Sequence, residues 1–256
     1  MSTSKWIAAT VVGRTQWTPT LFSIQFDAPD MQPFVAGQFA RVGLQIGNEI
    51  IGRPYSLVNS PDQTPYEIYC VEVEGGPLSP RLNALRAGDA LNVMPNANGF
   101  FSLSEIPAGK TLWCISTGTG LGPFLSMLRT QQAWRQFERV VLVHGVRTVD
   151  EFAYGDEIAA LTRVHPQAFQ CVQLVSRGNH SADRAPAVHA LHGRVTTHIA
   201  DGNLERLTGC NIDASAQVML CGNPSMVADV IALLDTRGLK KHRRREPGNY
   251  TVETYW

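Results

Sequence analysis

The stretch "GRPYSLVNSP", residues 52–61, puts a cation, an aromatic ring and a hydroxyl within four positions. Arg53 can neutralise a pyrophosphate and form two parallel hydrogen bonds with it. The ring of Tyr55 can pack against another flat ring system, and the hydroxyl of Ser56 can bond the reactive edge of that system. These residue types indicate a flavin site, although they would also suit a plain strand edge.

A second phosphate-binding segment is predicted within "GGPLSPRL", residues 75–82. Ser79 and Pro80 are residue types that begin helices, and the first turn of a helix has backbone N–H groups without intrahelical partners. The segment therefore predicts a helix start that faces an anion.

The glycine-rich stretch "STGTGLGP", residues 116–123, directly follows an apolar run. Glycines at 118, 120 and 122 allow a tight turn and a close approach to a ligand, and Pro123 suits the first turn of a helix. The spacing differs from the G-x-G-x-x-G fingerprint, so a glycine turn without a ligand stays open. Its place after the first strand of a predicted parallel sheet favours a nucleotide site.

Arginines follow two later apolar runs, Arg147 in "VHGVR" and Arg177 in "LVSR". Both are expected at the ligand edge of the sheet, where a guanidinium can bind the extra phosphate of NADPH. Arg194 in "HGRV" is a third candidate, and each of the three could instead be a solvated loop residue. Asp150 and Glu151 follow closely, and an acid there would favour the free 2′-hydroxyl of NADH.

Two kinds of element must position these residues. In residues 1–107, short runs rich in Val, Ile, Phe and Tyr are bounded by turn residues: "LFSIQF", "FARVGLQI", "EIIGRPYSLV", "YEIYCVEV" and "ALNVMP". Five or six such strands predict a small six-stranded antiparallel β-barrel.

Residues 108–256 have a different pattern, and the boundary is expected within residues 105–110. Continuous apolar runs indicate buried strands: "TLWCIS", "RVVLVHGV", "FQCVQLVS" and "QVMLCG". Helices are predicted between them over Pro123–Gln136, Asp156–Val164 and Met226–Arg237. The alternation predicts an α/β domain with a parallel sheet.

Composition excludes several classes of protein. Lys plus Arg and Asp plus Glu each total 22, so nucleic-acid binding through net charge is not expected. The five cysteines lie far apart in sequence, which excludes a local zinc or iron–sulfur motif and indicates buried thiols in the cytoplasm. His189 and His192 could share a helix face but lack further ligands, so no metal is expected. The uncharged residues 111–128 contain glycines and a proline, so no membrane span is expected.

The basic run "KKHRRR", Lys240–Arg245, has two interpretations. A solvated loop is one, and a docking patch for an acidic partner protein is the other, because local charge speeds encounter.

The motifs taken together resemble the ferredoxin–NADP reductase family, above all its bacterial ferredoxin/flavodoxin–NADP reductases. "RPYS", "GPLSPRL", "STGTGLGPFLSML", "VHGVR", "MLCGNPSMV" and a terminal aromatic occur in the family's order, from about residue 40 to the end. The resemblance implies a flavin-binding antiparallel barrel over 1–107 and an NADP(H)-binding α/β domain over 108–256.

The resemblance also implies which residues hold non-covalent FAD and NADP(H). Those for FAD are Arg53, Pro54, Tyr55, Ser56, Tyr69, Val71, Leu78, Ser79, Thr119, Tyr255 and Trp256. Those for NADP(H) are Thr119, Gly120, Arg147, Arg177, Arg194, Cys221, Gly222 and Asn223. The catalytic set is Ser56, Cys221, Glu253 and Tyr255.

The chain ends in "TVETYW", with two aromatic residues where polar residues are usual. In the family the C-terminus lies against the flavin on the side where nicotinamide arrives. The resemblance therefore implies that Tyr255 covers the isoalloxazine ring and that Trp256 stacks on a folded FAD adenine. Packing of both rings on the protein surface is the alternative.

The function implied is electron exchange between NADP(H) and a ferredoxin or flavodoxin, by a monomer that contains FAD. Two alternatives stay open: an NADH-dependent reductase subunit of a multicomponent oxygenase, and a flavin- or nucleotide-binding module without turnover.

Overall fold

The structure is a computed structural model that describes residues 6–178 and 188–254. Contacts divide the chain into two compact units. The barrel unit comprises Met1–Leu103 and Gly122–Thr130, and the sheet unit comprises Ser104–Leu121 and Gln131–Trp256. The chain therefore returns once to the barrel unit after it has entered the sheet unit.

The barrel unit contains a six-stranded antiparallel sheet in the order β4-β3-β6-β1-β2-β5. An isolated antiparallel bridge between Leu57, which follows β4, and Ile68 of β5 joins the two edge strands and closes the barrel. The elements of this unit are β1 (Ile7–Gln16), β2 (Leu21–Asp27), β3 (Phe39–Ile46), β4 (Glu49–Ser56), β5 (Tyr66–Val71), α1 (Ser79–Ala84), β6 (Ala90–Val93) and α2 (Gly122–Leu128).

Strand periodicity builds the barrel core. Phe22, Ile24 and Phe26 alternate along β2 and are completely buried, as are Ala40 and Val42 on β3. Residues two apart in a strand share a face, so these side chains all point inward. Burial of each large apolar side chain contributes about 1.5–3 kcal/mol to folding.

The sheet unit contains six parallel strands in the order β10-β9-β8-β7-β11-β12. Its elements are β7 (Thr111–Thr117), α3 (Gln131–Gln136), β8 (Arg139–Val146), α4 (Gly155–Val164), β9 (Phe169–Val175), β10 (Val188–His192), α5 (Val195–Ala200), α6 (Asn203–Thr208), β11 (Ala216–Gly222), α7 (Pro224–Thr236) and β12 (Tyr250–Thr254). The strand order changes direction at β7 and β11, and the carboxyl ends of strands at such a reversal commonly bind ligands.

One helix prediction is wrong in its extent. Instead of a single helix over Pro123–Gln136 there are two, α2 and α3, with a break at residues 129–130. The hydroxyl of Thr130 donates to the carbonyl oxygen of Met127 at 2.7 Å and competes with the helical pattern. Every residue of α2 is buried, so packing supports a helix this short.

The other two predicted helices are present with shifted ends. The structure has α4 at Gly155–Val164 and α7 at Pro224–Thr236. The side-chain oxygen of Asn223 accepts the N–H of Ser225 at 2.9 Å, and this cap starts α7 two residues before the predicted position.

Further findings concern cysteines, histidines and membrane spans. All five cysteines are free and buried, as the sequence predicts. His189 and His192 lie in strand β10, so they do not share a helix face. Among residues 6–178 and 188–254, no helix is long and apolar enough to cross a membrane, and no group of His, Cys, Asp or Glu could hold a metal ion.

Candidate functional site

The R-P-Y-S residues occupy the end of β4, at the seam where the barrel closes. Continuing the register of the Leu57–Ile68 bridge puts Tyr55 level with Cys70 and Ser56 level with Tyr69. Burial raises the pKa of Tyr55, the neighbouring Cys70 raises it further, and Arg53 lowers it. The register of the strands thus places Tyr55 beside Cys70, and Arg53 lies two positions earlier in β4.

Arg53 and Tyr55 lie two positions apart in β4 and therefore share one face of the strand. Arg53 is exposed, and its Nη1 donates to the carbonyl oxygen of Gly52 at 3.1 Å. Tyr55 is partly buried against the core, and Ser56 is buried. Burial thus increases along the end of the strand, from the exposed Arg53 and Pro54, through the half-buried ring of Tyr55, to the buried hydroxyl of Ser56.

The second predicted flavin segment follows β5. Tyr69, Leu78 and Ser79 are buried, and Val71 is half-buried at the end of the strand. Helix α1 begins at Ser79 as predicted. The hydroxyl oxygen of Ser79 accepts the N–H of Val73 at 2.9 Å, which fixes the loop between β5 and α1.

The donor set of the barrel unit fits a flavin dinucleotide. An exposed guanidinium suits a phosphate, and a half-buried phenol ring two positions away suits a flat ring system. The structure brings Arg53, Tyr55, Ser56 and Tyr69 to the same seam, because β4 and β5 meet there.

In the sheet unit the glycine loop of residues 118–121 contacts the turn after β11. The hydroxyl oxygen of Thr117 accepts the N–H of Asn223 at 2.8 Å. A Cβ on Gly120 would lie 2.4 Å from the carbonyl oxygen of Cys221. Gly222 has a φ of +136°, and a Cβ there would lie 2.3 Å from the hydroxyl oxygen of Thr117. Only glycine permits this close approach of backbones at the reversal of strand order.

Cys221 lies between two polar residues in the register of the sheet. It is level with Ser116 of β7 and with Glu253 of β12. Cys221 is completely buried, and Glu253 is half-buried. Two of the predicted catalytic residues are therefore side by side, although 32 positions separate them in the sequence.

The three predicted arginines follow three neighbouring strands. Val146, Val175 and His192 are level with one another in β8, β9 and β10. Arg147, Arg177 and Arg194 come just after them and are all exposed. The N–H of Arg177 donates to the carbonyl oxygen of Arg147 at 2.8 Å.

The acid that follows Arg147 is bonded to it. Nε and Nη2 of Arg147 lie 2.8 Å and 2.6 Å from Oε1 of Glu151. The backbone N–H of Arg147 also donates to Oε2 of Glu151, at 2.9 Å. Glu151 is thus placed at the predicted phosphate site, and sequence reasoning considered it only as a sign of NADH preference.

Sequence reasoning missed His144 of β8, which is level with Ser116. The ring is completely buried, its Nε2 lies 3.1 Å from the carbonyl oxygen of Gly118, and its Nδ1 has no hydrogen-bond partner among the described residues. Burial lowers the pKa of His144 to about 4, against smaller opposing effects of Gly118 and Glu151. Neutral His144 donates Nε2–H to Gly118 and supports the glycine loop. The sequence contained one signal for this residue, a histidine within the apolar run "RVVLVHGV".

The basic run Lys240–Arg245 has one member in a bidentate ion pair. Nε and Nη2 of Arg244 donate to the two carboxylate oxygens of Glu105, each at 2.8 Å. A hydrogen bond from Arg244 holds the pKa of Glu105 below its usual value. Lys240 and Arg245 are exposed. Tyr255 and Trp256 lie outside the described residues, so their predicted positions stay predictions.

Comparison with known proteins gives consistent matches over nearly the whole chain. Residues 114–231 match the family model for an oxidoreductase NAD-binding domain. The chain is 41% identical over 253 residues to the flavodoxin/ferredoxin–NADP reductase of Escherichia coli K12, covering 98% of this chain and 99% of that protein. It is 37% identical over 254 residues to the flavodoxin/ferredoxin–NADP reductase of Buchnera aphidicola subsp. Baizongia pistaciae, with 98% and 99% covered.

A solved structure is similar over the same extent. The crystal structure of a ferredoxin NADP+ reductase from Neisseria gonorrhoeae, with bound FAD and NADP, superposes with a TM-score of 0.90 at 30% identity. The match covers 98% of each chain.

Proposed function

The chain belongs to the family of flavodoxin/ferredoxin–NADP reductases, and from that premise we propose which of its residues perform the reaction. It is an FAD-dependent oxidoreductase that exchanges electrons between NADP(H) and ferredoxin or flavodoxin. When bound, FAD supplies hydride exchange at N5 and single-electron exchange with the carrier protein. The protein has to bind, orient and shield both nucleotides.

The barrel unit holds FAD without a covalent link. Arg53 binds the pyrophosphate, Tyr55 packs against the isoalloxazine ring, and Ser56 bonds its reactive edge. The exposed guanidinium beside the half-buried ring of Tyr55 supports this assignment. Further contacts come from the segments after β4, at Tyr69, Val71, Leu78 and Ser79, and from Pro54 and Thr119.

The sheet unit binds NADP(H) at the carboxyl ends of its strands. Thr119 and Gly120 approach the pyrophosphate, and the turn Cys221–Asn223 borders the nicotinamide. The support is the packing of the glycine loop on that turn, which leaves both segments at one edge of the sheet. Arg147, Arg177 and Arg194 bind the 2′-phosphate, in keeping with their places one or two residues after the level ends of three neighbouring strands.

Four residues act at the reacting rings. Ser56 donates a hydrogen bond to the flavin, Cys221 orients the nicotinamide, and Glu253 acts beside Cys221 from the neighbouring strand. The shared register of Cys221 and Glu253 supports the last two roles. Tyr255 covers the flavin until nicotinamide displaces it, and Trp256 stacks on the adenine.

The one-electron partner is a ferredoxin or flavodoxin that docks near Lys240–Arg245. Because Arg244 is paired with Glu105, the exposed Lys240 and Arg245 supply the attraction. The enzyme works as a cytoplasmic monomer and binds no nucleic acid, in keeping with a net charge of zero.

The observation that carries the residue assignments is the meeting of the predicted motif residues at two places, the barrel seam and the edge of the sheet unit. The test is to purify the protein, record its flavin spectrum and compare NADPH with NADH in dye reduction. A yellow protein that prefers NADPH and reduces a flavodoxin is expected. A colourless protein that FAD cannot reconstitute would overturn the proposal, and preference for NADH would favour a reductase subunit of an oxygenase.

A further inference from the structure

Glu151 occupies one edge of the guanidinium of Arg147. We propose that Glu151 is a positioning residue that decides which edge of Arg147 binds the 2′-phosphate, and that it thereby contributes to selection of NADP(H) over NAD(H). The proposal rests on the proposed function, in which Arg147 binds that phosphate.

A guanidinium has two edges that can each donate a pair of parallel hydrogen bonds. The side edge consists of Nε–H and one Nη2–H, and both atoms lie within 2.8 Å of Oε1 of Glu151. The end edge, formed by Nη1 and the other Nη2–H, is not part of this contact. A phosphate that binds Arg147 with two hydrogen bonds must therefore use the end edge.

The acid is held more firmly than the arginine. The side chain of Glu151 is 16% exposed, whereas that of Arg147 is 58% exposed. The second carboxylate oxygen of Glu151 accepts the backbone N–H of Arg147, so the acid is fixed to the main chain as well as to the guanidinium. Glu151 thus acts as the support and Arg147 as the group presented to solvent.

A short turn connects this support to the buried interior. Residues Val149–Glu151 form a 3₁₀ turn, in which the N–H of Glu151 donates to the carbonyl oxygen of Thr148 at 3.1 Å. The next residue, Phe152, packs edge-on against the buried ring of His144, with ring centres 5.8 Å apart. The position of Glu151 is therefore tied to the core that also supports the glycine loop.

Two effects of Glu151 on a phosphate oppose each other. Its negative charge repels the phosphate, and its contact with Arg147 orders the guanidinium. Charge effects at an exposed site are screened at physiological salt, so removal of the charge should change affinity by no more than about twofold. Freeing a long side chain that must then be ordered on binding should weaken affinity by about fivefold, so orientation dominates.

The experiment measures binding of adenosine 2′,5′-bisphosphate and of AMP to the FAD-loaded protein by calorimetry, independently of turnover. Because loss of the negative charge offsets part of the cost of freeing Arg147, Glu151→Ala should weaken binding of the bisphosphate by about three- to fivefold and leave AMP unchanged. Glu151→Gln loses the charge but keeps an acceptor oxygen, and it should stay within about twofold of the wild-type protein. Asp150→Ala, which removes the neighbouring charge of the same turn, is the matched control and should also stay within about twofold.

The outcomes separate this inference from the proposed function. If Glu151→Ala and Glu151→Gln both tighten the bisphosphate, Glu151 acts as a competing charge and the inference is wrong. Equal weakening of AMP would reduce Glu151 to a structural role, and unchanged binding in Glu151→Ala would also overturn the inference. Arg147→Ala tests the underlying site: if it leaves the bisphosphate unaffected, the proposed phosphate site itself fails.

Discussion

The two units present their candidate ligand-binding residues in different ways. In the barrel unit, Tyr55 and Ser56 belong to a strand and are partly or fully buried. In the sheet unit, Arg147 and Arg177 follow strands and are exposed. Residues within a strand are held by the ladder and by the core beneath it, whereas residues after a strand are held by a few local bonds.

The difference corresponds to the two roles in the proposed function. A cofactor that stays bound through many turnovers benefits from rigid, buried contacts, because little ordering is needed on binding. A nucleotide that arrives and leaves in each turnover benefits from accessible charges. The comparison therefore predicts loss of cofactor from changes in the barrel unit and loss of affinity or selectivity from changes in the sheet unit.

The largest effect is expected from Arg53→Ala in the barrel unit. Loss of a charge-assisted contact with the pyrophosphate should weaken FAD binding by about 2–3 kcal/mol, or more than about 30-fold. Reconstitution of the apoprotein, followed by flavin fluorescence, measures the dissociation constant. Arg86→Ala, which removes an exposed arginine from the turn after α1, is the control. Equal FAD affinity in the two variants would remove Arg53 from the site.

The next prediction concerns the buried His144, which supports the glycine loop at the edge of the sheet unit. Burial lowers the pKa of His144 from 6.5 to about 4, so the folded protein keeps this ring neutral at pH 5 while the unfolded chain protonates it. The stability that neutral His144 contributes is complete above pH 6.5 and is lost as the pH falls towards 4. Between pH 7 and pH 5 the loss should be about 2 kcal/mol.

Urea unfolding of the wild-type protein and of His144→Gln at both pH values measures this effect. Glutamine does not titrate, and its amide can still donate to Gly118. The variant should therefore lose about 2 kcal/mol less than the wild-type protein on acidification. Identical pH dependence of the two proteins would contradict the assignment of a neutral, buried His144.

A smaller effect is expected from replacing both Arg147 and Arg177 by alanine. The wild-type protein should prefer NADPH to NADH by at least about tenfold in kcat/KM, or about 1.4 kcal/mol. The double variant should raise KM for NADPH and leave KM for NADH nearly unchanged. Arg163→Ala on α4, another exposed arginine of the sheet unit, is the control. An equal loss with both coenzymes would show that these arginines do not read the 2′-phosphate.

The smallest effect concerns the basic run. Charge reversal at Lys240 and Arg245 should raise KM for a flavodoxin by about threefold at low salt, and the difference should disappear as salt is added, because long-range attraction is screened. Reduction of a small neutral dye serves as the control and should not change. If the variant and the wild-type protein have the same KM for flavodoxin at low salt, Lys240–Arg245 is a solvated loop.

Much of the fold was predictable because its strongest elements have clear local patterns. The predicted strands "FARVGLQI" and "RVVLVHGV" coincide with β3 and β8. The first is bounded by turn residues, and the second is a continuous apolar run. Five strands of the barrel unit and four of the sheet unit were identified in this way. The six-stranded antiparallel sheet and the parallel sheet are both confirmed.

The missed elements depend on partners distant in sequence. Strand β12 has only five residues, too few for a clear local pattern, and it is held by its parallel pairing with β11. Strand β10 pairs with β9 in the same way. Helices α5 and α6 have six residues each, too few for a clear periodicity.

The places of the candidate residues in the fold were predictable, and the contacts that support these residues were less so. Arg147 was identifiable because it ends an apolar run, but its bond to Glu151 depends on a 3₁₀ turn that no local pattern indicated. Thr117 and His144 hold the glycine loop and the turn after β11 through contacts across neighbouring strands. Such contacts require the sheet order, which the sequence alone did not provide.

The buried cysteines make the protein well suited to site-directed spectroscopy. All five thiols are free and enclosed in the fold, and burial raises the pKa of Cys171 to about 12 and raises those of Cys70 and Cys114 as well. Thiolates are the species that react with maleimides, so these residues should resist labelling while the protein is folded. A single cysteine introduced at exposed Lys240 or Asp150 should therefore accept a fluorophore selectively, without prior removal of the native thiols.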